Sequence, residues 1–227
     1  MDNYYNRPEV SNSDLSALKK ELYGGPDYDP TRAYANGNLI DAMITEENKV
    51  NYIARTCLDV DYEFTIEEFE KAREMKKAFL KDELCRMMLS KSTPQAVMVV
   101  RNLLFDYDAP FRLDVRCKWD LWMQSLGWGG DIKSTAAETQ EQFIAACKFF
   151  DYDRSRFWYM NIAEAKYCRT VEKDILIGIS KTAIDRKTGL PKIFKLPITK
   201  GDDFYNSGKE KALELAFQWW LRFGDVA

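Results

Sequence analysis

Asp120, Asp131 and Lys133 are the residues whose types and spacing could do chemistry in this chain. From Leu113 to Trp122 the sequence alternates without a break. Leu113, Val115, Cys117, Trp119 and Leu121 fall on one face of a predicted strand, and Asp114, Arg116, Lys118, Asp120 and Trp122 on the other. A turn around Gln124-Ser125-Leu126-Gly127 reverses the chain, and Gly130-Asp131-Ile132-Lys133-Ser134 returns as a short strand. Asp131 and Lys133 are two apart and share a face, while Ile132 points into the core. A hairpin brings Asp120 beside them. Two carboxylates held close repel each other, and a divalent cation stabilises both as anions. Such an ion polarises a phosphoryl oxygen and lowers the pKa of water, with Lys133 placed to orient or activate that water or to balance charge. An ordinary Asp–Lys pair on a surface hairpin has the same tripeptide, and on pattern alone the two readings stand level.

Composition narrows the chemistry further. Histidine is absent, which removes Ser-His-Asp and Cys-His catalysis, His-ligated zinc and His general bases. Five cysteines (Cys57, Cys85, Cys117, Cys147, Cys168) form no CxxC pair and read as reduced, mostly buried thiols. Carboxylates and lysines remain, and oxygen ligands favour Mg²⁺, with Mn²⁺ as the alternative. The apolar fraction of 46% supplies a core, yet no apolar run is long enough to span a bilayer, and no membrane partner is expected. Met1 to Arg7 shows neither a basic leader nor an apolar signal core, from which a cytoplasmic protein is expected. The net charge of −3 does not advertise a nucleic-acid binder unless basic residues gather on one face. Lys71, Arg73, Lys76, Lys77 and Lys81 form one group, and Lys181, Arg186, Lys187, Lys192, Lys195 and Lys200 another; a solvated helix face and a polar hairpin explain them equally well.

The elements that must position the site follow from periodicity. Ser13 is the expected N-cap of a first helix, which Gly24-Gly25-Pro26 ends, with loop to Pro30. A second helix is expected after Gly37, and a long third from Thr65, whose Glu68 completes a capping box, to Ser92-Thr93-Pro94. Ala96 to Val100 reads as a buried strand, then comes the hairpin, then helices over Ala136 to Phe150 and about Ser155 to Tyr167. Ile175 to Ser180 and Lys192 to Ile198 pair across a turn at Asp185 to Gly189, and Ser207 or Asn206 caps a closing helix, Lys209 to Phe223. The expected architecture is one α/β domain over 1–227, a central mixed sheet flanked by helices. It is mainly helical over 1–92, carries the sheet with the hairpin over 93–200 and closes with a helix over 203–227.

Cys117-Lys118-Trp119-Asp120 followed by Gly130-Asp131-Ile132-Lys133-Ser134-Thr135 resembles the signature of the PD-(D/E)XK nucleases, whose domain is restriction-endonuclease-like. The branch it is most similar to is the phage-type recombination exonucleases, like RecE and lambda exonuclease. Ser11-Asn12-Ser13-Asp14-Leu15 resembles the family's Ser-x-Ser-x-Leu helix start, and Gly37-Asn38-Leu39-Ile40-Asp41-Ala42 its Gly-x-x-x-His helix. Tyr152-Asp153-Arg154-Ser155-Arg156-Phe157-Trp158-Tyr159 resembles its Tyr-Asp-x-Gln-x-x-x-Tyr segment, so the likeness runs in order to about residue 180.

The resemblance implies that Asp120, Asp131 and the main-chain carbonyl of Ile132 bind the metal and that Lys133 is the catalytic lysine. Tyr159 would shape the site and hold the DNA strand, with Ser155, Lys118 and Arg116 as further substrate contacts. Two positions depart from the family pattern: its histidine is Asp41 here, a harder oxygen donor for the metal, and its glutamine is Ser155. The implied reaction is Mg²⁺-dependent exonuclease hydrolysis of linear duplex DNA, in recombination with a single-strand annealing protein, by a homo-oligomer in the host cytoplasm if phage-encoded. The alternative is a nuclease-fold protein, altered through Asp41 and Ser155, that binds DNA or another protein without cleavage.

Overall fold

The computed structural model describes residues 4–25 and 29–224 and builds them around one five-stranded sheet. The α-helices are α1 (Asn12–Tyr23), α2 (Thr31–Thr45), α3 (Ile66–Lys81), α4 (Glu83–Lys91), α5 (Gln140–Phe149), α6 (Tyr152–Tyr167) and α7 (Asp203–Phe223). A small ribbon pairs β1 (Val50–Asn51) with β2 (Thr56–Cys57). The main sheet runs in sequence order through β3 (Thr93–Asp106), β4 (Pro110–Met123), β5 (Trp128–Thr135), β6 (Lys173–Ile184) and β7 (Pro191–Ile198). All its pairs are antiparallel except β5 with β6, whose parallel connection carries α5 and α6. This is the mixed α/β architecture expected, and no described helix is long and apolar enough to cross a membrane.

Each face of the sheet buries its own core. Leu15, Phe143, Phe157, Trp158, Phe204 and Leu215, from α1, α5, α6 and α7, pack with Cys117, Trp119, Trp122 and Leu176 on one face. On the other, Leu39, Met43, Phe69, Phe79 and Met88, from α2, α3 and α4, pack with Leu121, Met123, Ile132, Ile175, Ile177 and Ile179. The unbroken alternation expected along β4 therefore fails after Trp119. Leu121 crosses to the second core while Trp119 and Trp122 stay together in the first. Opposite this point in β3, Gln95 takes a left-handed conformation (φ 53°), and the ladder runs from Ala96↔Trp119 to Pro94↔Leu121 in one register without pairing Gln95 to Asp120. Asp120 sits where the strand changes hands.

Close packing fixes the hairpin beneath it. Trp119 lies across Gly129, where an added Cβ would come within 1.9 Å of the indole. Only glycine admits the ring there.

Several boundaries differ from expectation. Ser11, not Ser13, caps α1, exchanging bonds with Asp14 in a capping box. α2 begins at Thr31, ahead of Gly37. The long third helix is two, because Asp82 ends α3 and caps α4 through the Cys85 amide. α5 starts later than expected, behind its cap Thr139, and α7 earlier, behind Asp202. The Thr65–Glu68 capping box forms as expected. So does the Asp185–Gly189 turn, where Asp185 accepts from the amides of Lys187 and Thr188 and Gly189 has φ 69°. All five cysteines are free, and only Cys168 is exposed. Residues 1–3 of the expected leaderless start and 26–28 of the expected loop lie outside the described residues.

The basic groups are partly neutralised. Arg73, Lys76 and Lys77 pair with Glu70, Glu47 and Glu74, while Lys195 and Lys200 pair with Asp82 and Glu164.

Candidate active site

The β4–β5 ladder pairs Met123↔Trp128, Trp122↔Gly129 and Leu121↔Gly130, and it stops one step before Asp120 and Asp131 would face each other. Where the strands part, the Ile132 amide donates to Asp120 Oδ2 at 2.7 Å. The other edge of β5 stays tied to β6, with Asp131 opposite Leu176 and Lys133 opposite Gly178. Ile132 is buried in the second core, so Asp131 and Lys133 emerge together on the opposite face, as alternation requires. Lys133 Nζ contacts Asp131 Oδ2.

A second cation, not anticipated from the sequence, meets the same carboxylate. Arg156 of α6 is only 1% exposed; its Nη2 is 3.1 Å from Asp131 Oδ1 and its Nη1 3.5 Å from Asp174 Oδ2. Its guanidinium lies over the Tyr159 ring at 4.2 Å, and Trp119 is 5.4 Å away. Asp174 begins the buried run Asp174-Ile175-Leu176-Ile177 of β6. A carboxylate at the mouth of so apolar a strand signals a buried partner, and that signal was legible.

Asp41 enters from α2. Gln95 Nε2 donates to its Oδ2 at 2.8 Å, and Thr45 Oγ1 donates to its main-chain carbonyl at 2.8 Å. Gln95, the left-handed residue left unpaired opposite Asp120, thus also supplies the amide that holds Asp41.

The charges are unevenly balanced. Burial would raise Asp131, but Arg156 and Lys133 hold its carboxyl below the ordinary aspartate value. Burial opposes the charge on Lys133, yet Asp131 and Asp120 keep its ammonium above the usual lysine value. Burial lifts Asp41 to about 6 against the pull of Lys133, Lys118 and the Gln95 hydrogen bond. Burial, and then the charges of Asp41 and Asp131, lift Asp120 well above its usual value. Asp120 and Asp41 therefore share a deficit of positive charge that Lys133 and Arg156 do not fill.

That deficit suits a hard divalent cation, and the oxygen donors match it in kind. They are not assembled at ligand spacing. Among the described residues no group of three or more His, Cys, Asp or Glu side chains stands ready to hold a metal ion. Asp131 has one oxygen against Lys133 and the other against Arg156.

The remaining expected contacts separate into two sets. Tyr159 joins the site as the support for Arg156, edge-on to Trp119 at 5.4 Å. Lys118 reaches Asp41 electrostatically, and its Nζ is 5.8 Å from the Tyr4 ring. Ser155 does not reach the carboxylates: its hydroxyl donates to the Tyr152 carbonyl at 2.8 Å and accepts from Arg156 Nε at 3.3 Å. Arg116 is not brought to the site either. It is buried against the N-terminal segment, donating to the Arg7 carbonyl at 2.7 Å and pairing with Asp14 at 3.3 Å. Tyr152, also unanticipated, has its ring 5.2 Å from Lys133 Nζ.

No family model matches the chain, and no curated protein matches it in sequence. Among solved structures it is similar to a phage-related exonuclease from Haemophilus somnus 129PT, with 10% identity over 92% of this chain and 82% of that one and a TM-score of 0.41. It is also similar to the structure of SSO0001, with 10% identity over 90% and 84% and a TM-score of 0.38. Likenesses of this size decide neither fold nor function.

Proposed function

We propose that this protein is a metal-dependent deoxyribonuclease of the PD-(D/E)XK type that hydrolyses phosphodiester bonds of linear duplex DNA. The observation that carries the reading is the parting of β4 and β5. There Asp120 is held by the Ile132 amide, and Asp131 and Lys133 emerge side by side on the next strand. Asp120, Asp41 and the Ile132 carbonyl are the groups that would hold Mg²⁺ or Mn²⁺; Asp131, expected from the sequence as a further ligand, has its two oxygens on Lys133 and Arg156 instead. A divalent cation there supplies the positive charge that Asp120 and Asp41 lack and stabilises charge on the phosphoryl group.

The chain's own residues do the rest. Lys133 is kept protonated by Asp131 and Asp120, so it donates hydrogen bonds and balances charge rather than acting as a base. It orients the attacking water or a phosphoryl oxygen. Water adds to phosphorus and releases one of its protons to solvent as the bond to the leaving sugar oxygen breaks, and that oxygen takes up a proton from solvent. Arg156 fixes Asp131, and through it the position of Lys133, from inside the protein.

A second reading has its own support. Both oxygens of Asp131 are engaged by protein cations, and no ligand group is preassembled among the described residues. A protein that binds DNA or another protein on this fold without cutting would look the same. Incubating linear and circular duplex DNA with Mg²⁺ or Mn²⁺ separates the two. The nuclease reading expects loss of the linear form first, and intact linear DNA with every metal favours the second. A homo-oligomer and a single-strand annealing partner belong to this proposal.

A further inference from the structure

The junction between α5 and α6 places exposed aromatic rings beside the candidate site. Phe149 is 76% exposed and Phe150 52% exposed, a costly presentation for two adjacent phenylalanines. Phe149 meets Phe150 edge-on at 5.0 Å, and Phe150 stacks on Tyr152 at 5.8 Å and 28°. Tyr152 in turn lies under Lys133 Nζ. The rings form a continuous path from solvent to the lysine.

The path is held in place. Asp151 turns the chain in a left-handed conformation (φ 52°), and its carboxylate is pinned by Lys19 and Lys211 from α1 and α7. The Phe150 amide closes the end of α5 on the Ala146 carbonyl. Lys148 is exposed one residue before Phe149, so the rim carries positive charge.

We propose that Phe149, Phe150 and Tyr152 form a stacking platform for unpaired bases of a single-stranded DNA end whose phosphate lies at Lys133. The proposal rests on the nuclease reading for what Lys133 contacts. A nucleotide with its phosphate at the lysine carries its base within about one side-chain length, which is where Tyr152 and Phe150 stand. Every base has a π-face, so such a platform accepts any sequence, and the lysine rim serves the backbone. A two-ring patch on a corner, continuous with a charged site, suits a base better than a protein helix, which needs a longer apolar groove.

The test is fluorescence anisotropy in EDTA with a labelled dT12 strand and the same strand carrying abasic sites, using wild type, Phe149→Ala, Phe150→Ala and Phe150→Trp. The expected result is roughly tenfold weaker dT12 binding for each alanine variant, recovery in Phe150→Trp, and a similar loss for wild type on the abasic strand. Equal affinity across the variants, or equal affinity for both strands, overturns the platform and leaves the nuclease reading standing. Sedimentation in which the alanine variants dissociate an oligomer without altering dT12 affinity also overturns it, since a second copy then covers the rings. Ring-dependent binding of dT12 by a wild type that cleaves no DNA with any metal supports the platform and sinks the nuclease reading. A wild type that binds neither strand overturns the platform, while the nuclease reading is decided by digestion of linear duplex DNA with metal.

Discussion

Arg156 Nη2 lies 3.1 Å from Asp131 Oδ1 inside the protein, while Lys133 holds the other oxygen of the same carboxylate. One aspartate thus links an inner, permanently buried cation to an outer, partly exposed one. Arg156 also spans to Asp174, so a single guanidinium neutralises parts of β5 and β6 at once.

Removing that guanidinium leaves two buried carboxylates facing each other. Arg156→Met is expected to cost about 3–5 kcal/mol in urea unfolding, the range for breaking a buried ion pair from one side. Arg156→Lys should recover only part of this, since an ammonium cannot serve both carboxylates with a planar fork. Asp174→Asn should cost less than Arg156→Met, because burial pushes the Asp174 carboxyl up to about 6 and its ionised form is poorly compensated. A Met variant as stable as wild type would refute the buried linkage.

Glu68 gives a pH signature away from the site. Burial would raise its carboxyl, but the Thr65 amide, the Arg32 guanidinium at 2.7 Å and Asn36 hold it at about 2, below the ordinary 4.5. A lowered folded-state value stabilises the protein above the unfolded value and loses that contribution as pH falls from 4.5 through about 2. Urea midpoints of Glu68→Gln should therefore be lower than wild type near neutral pH and converge with it in acid. Parallel curves across that window would rule the contribution out.

Metal binding should follow the charge deficit. Asp120→Asn and Asp41→Asn are each expected to weaken Mn²⁺ binding, read by calorimetry or electron paramagnetic resonance, by at least roughly tenfold. Tyr159→Phe, which keeps the ring under Arg156, should bind the ion as wild type does. If neither asparagine variant changes Mn²⁺ affinity, those two residues do not hold the ion.

What the sequence revealed was what short-range physics determines. Strand period alone brought Asp131 and Lys133 to one face, and the Thr65–Glu68 box and the Asp185–Gly189 turn rest on residues a few positions apart. Ser11 was legible as well, because Asp14 stands three positions after it, whereas Ser13 lacks such a partner. Arg156 was not: its partners Asp131 and Asp174 lie on two strands that only the folded sheet brings together. The break in alternation at Asp120 lies opposite the left-handed Gln95 of a neighbouring strand, and no pattern within β4 contains it. Asp41 was singled out as a ligand in place of a histidine, but the hydrogen bond it accepts from Gln95, on a distant strand, emerged only from the fold.

The central claim is tested most directly by following linear duplex DNA with Mg²⁺ in the presence of wild type, Lys133→Ala and Asp131→Ala, each first shown to be folded. The account expects wild type to digest the DNA and both variants to lose a hundredfold or more of that rate, on the order of removing one preorganised charge-stabilising group. Intact DNA with wild type, or digestion by both variants at the wild-type rate, would contradict it.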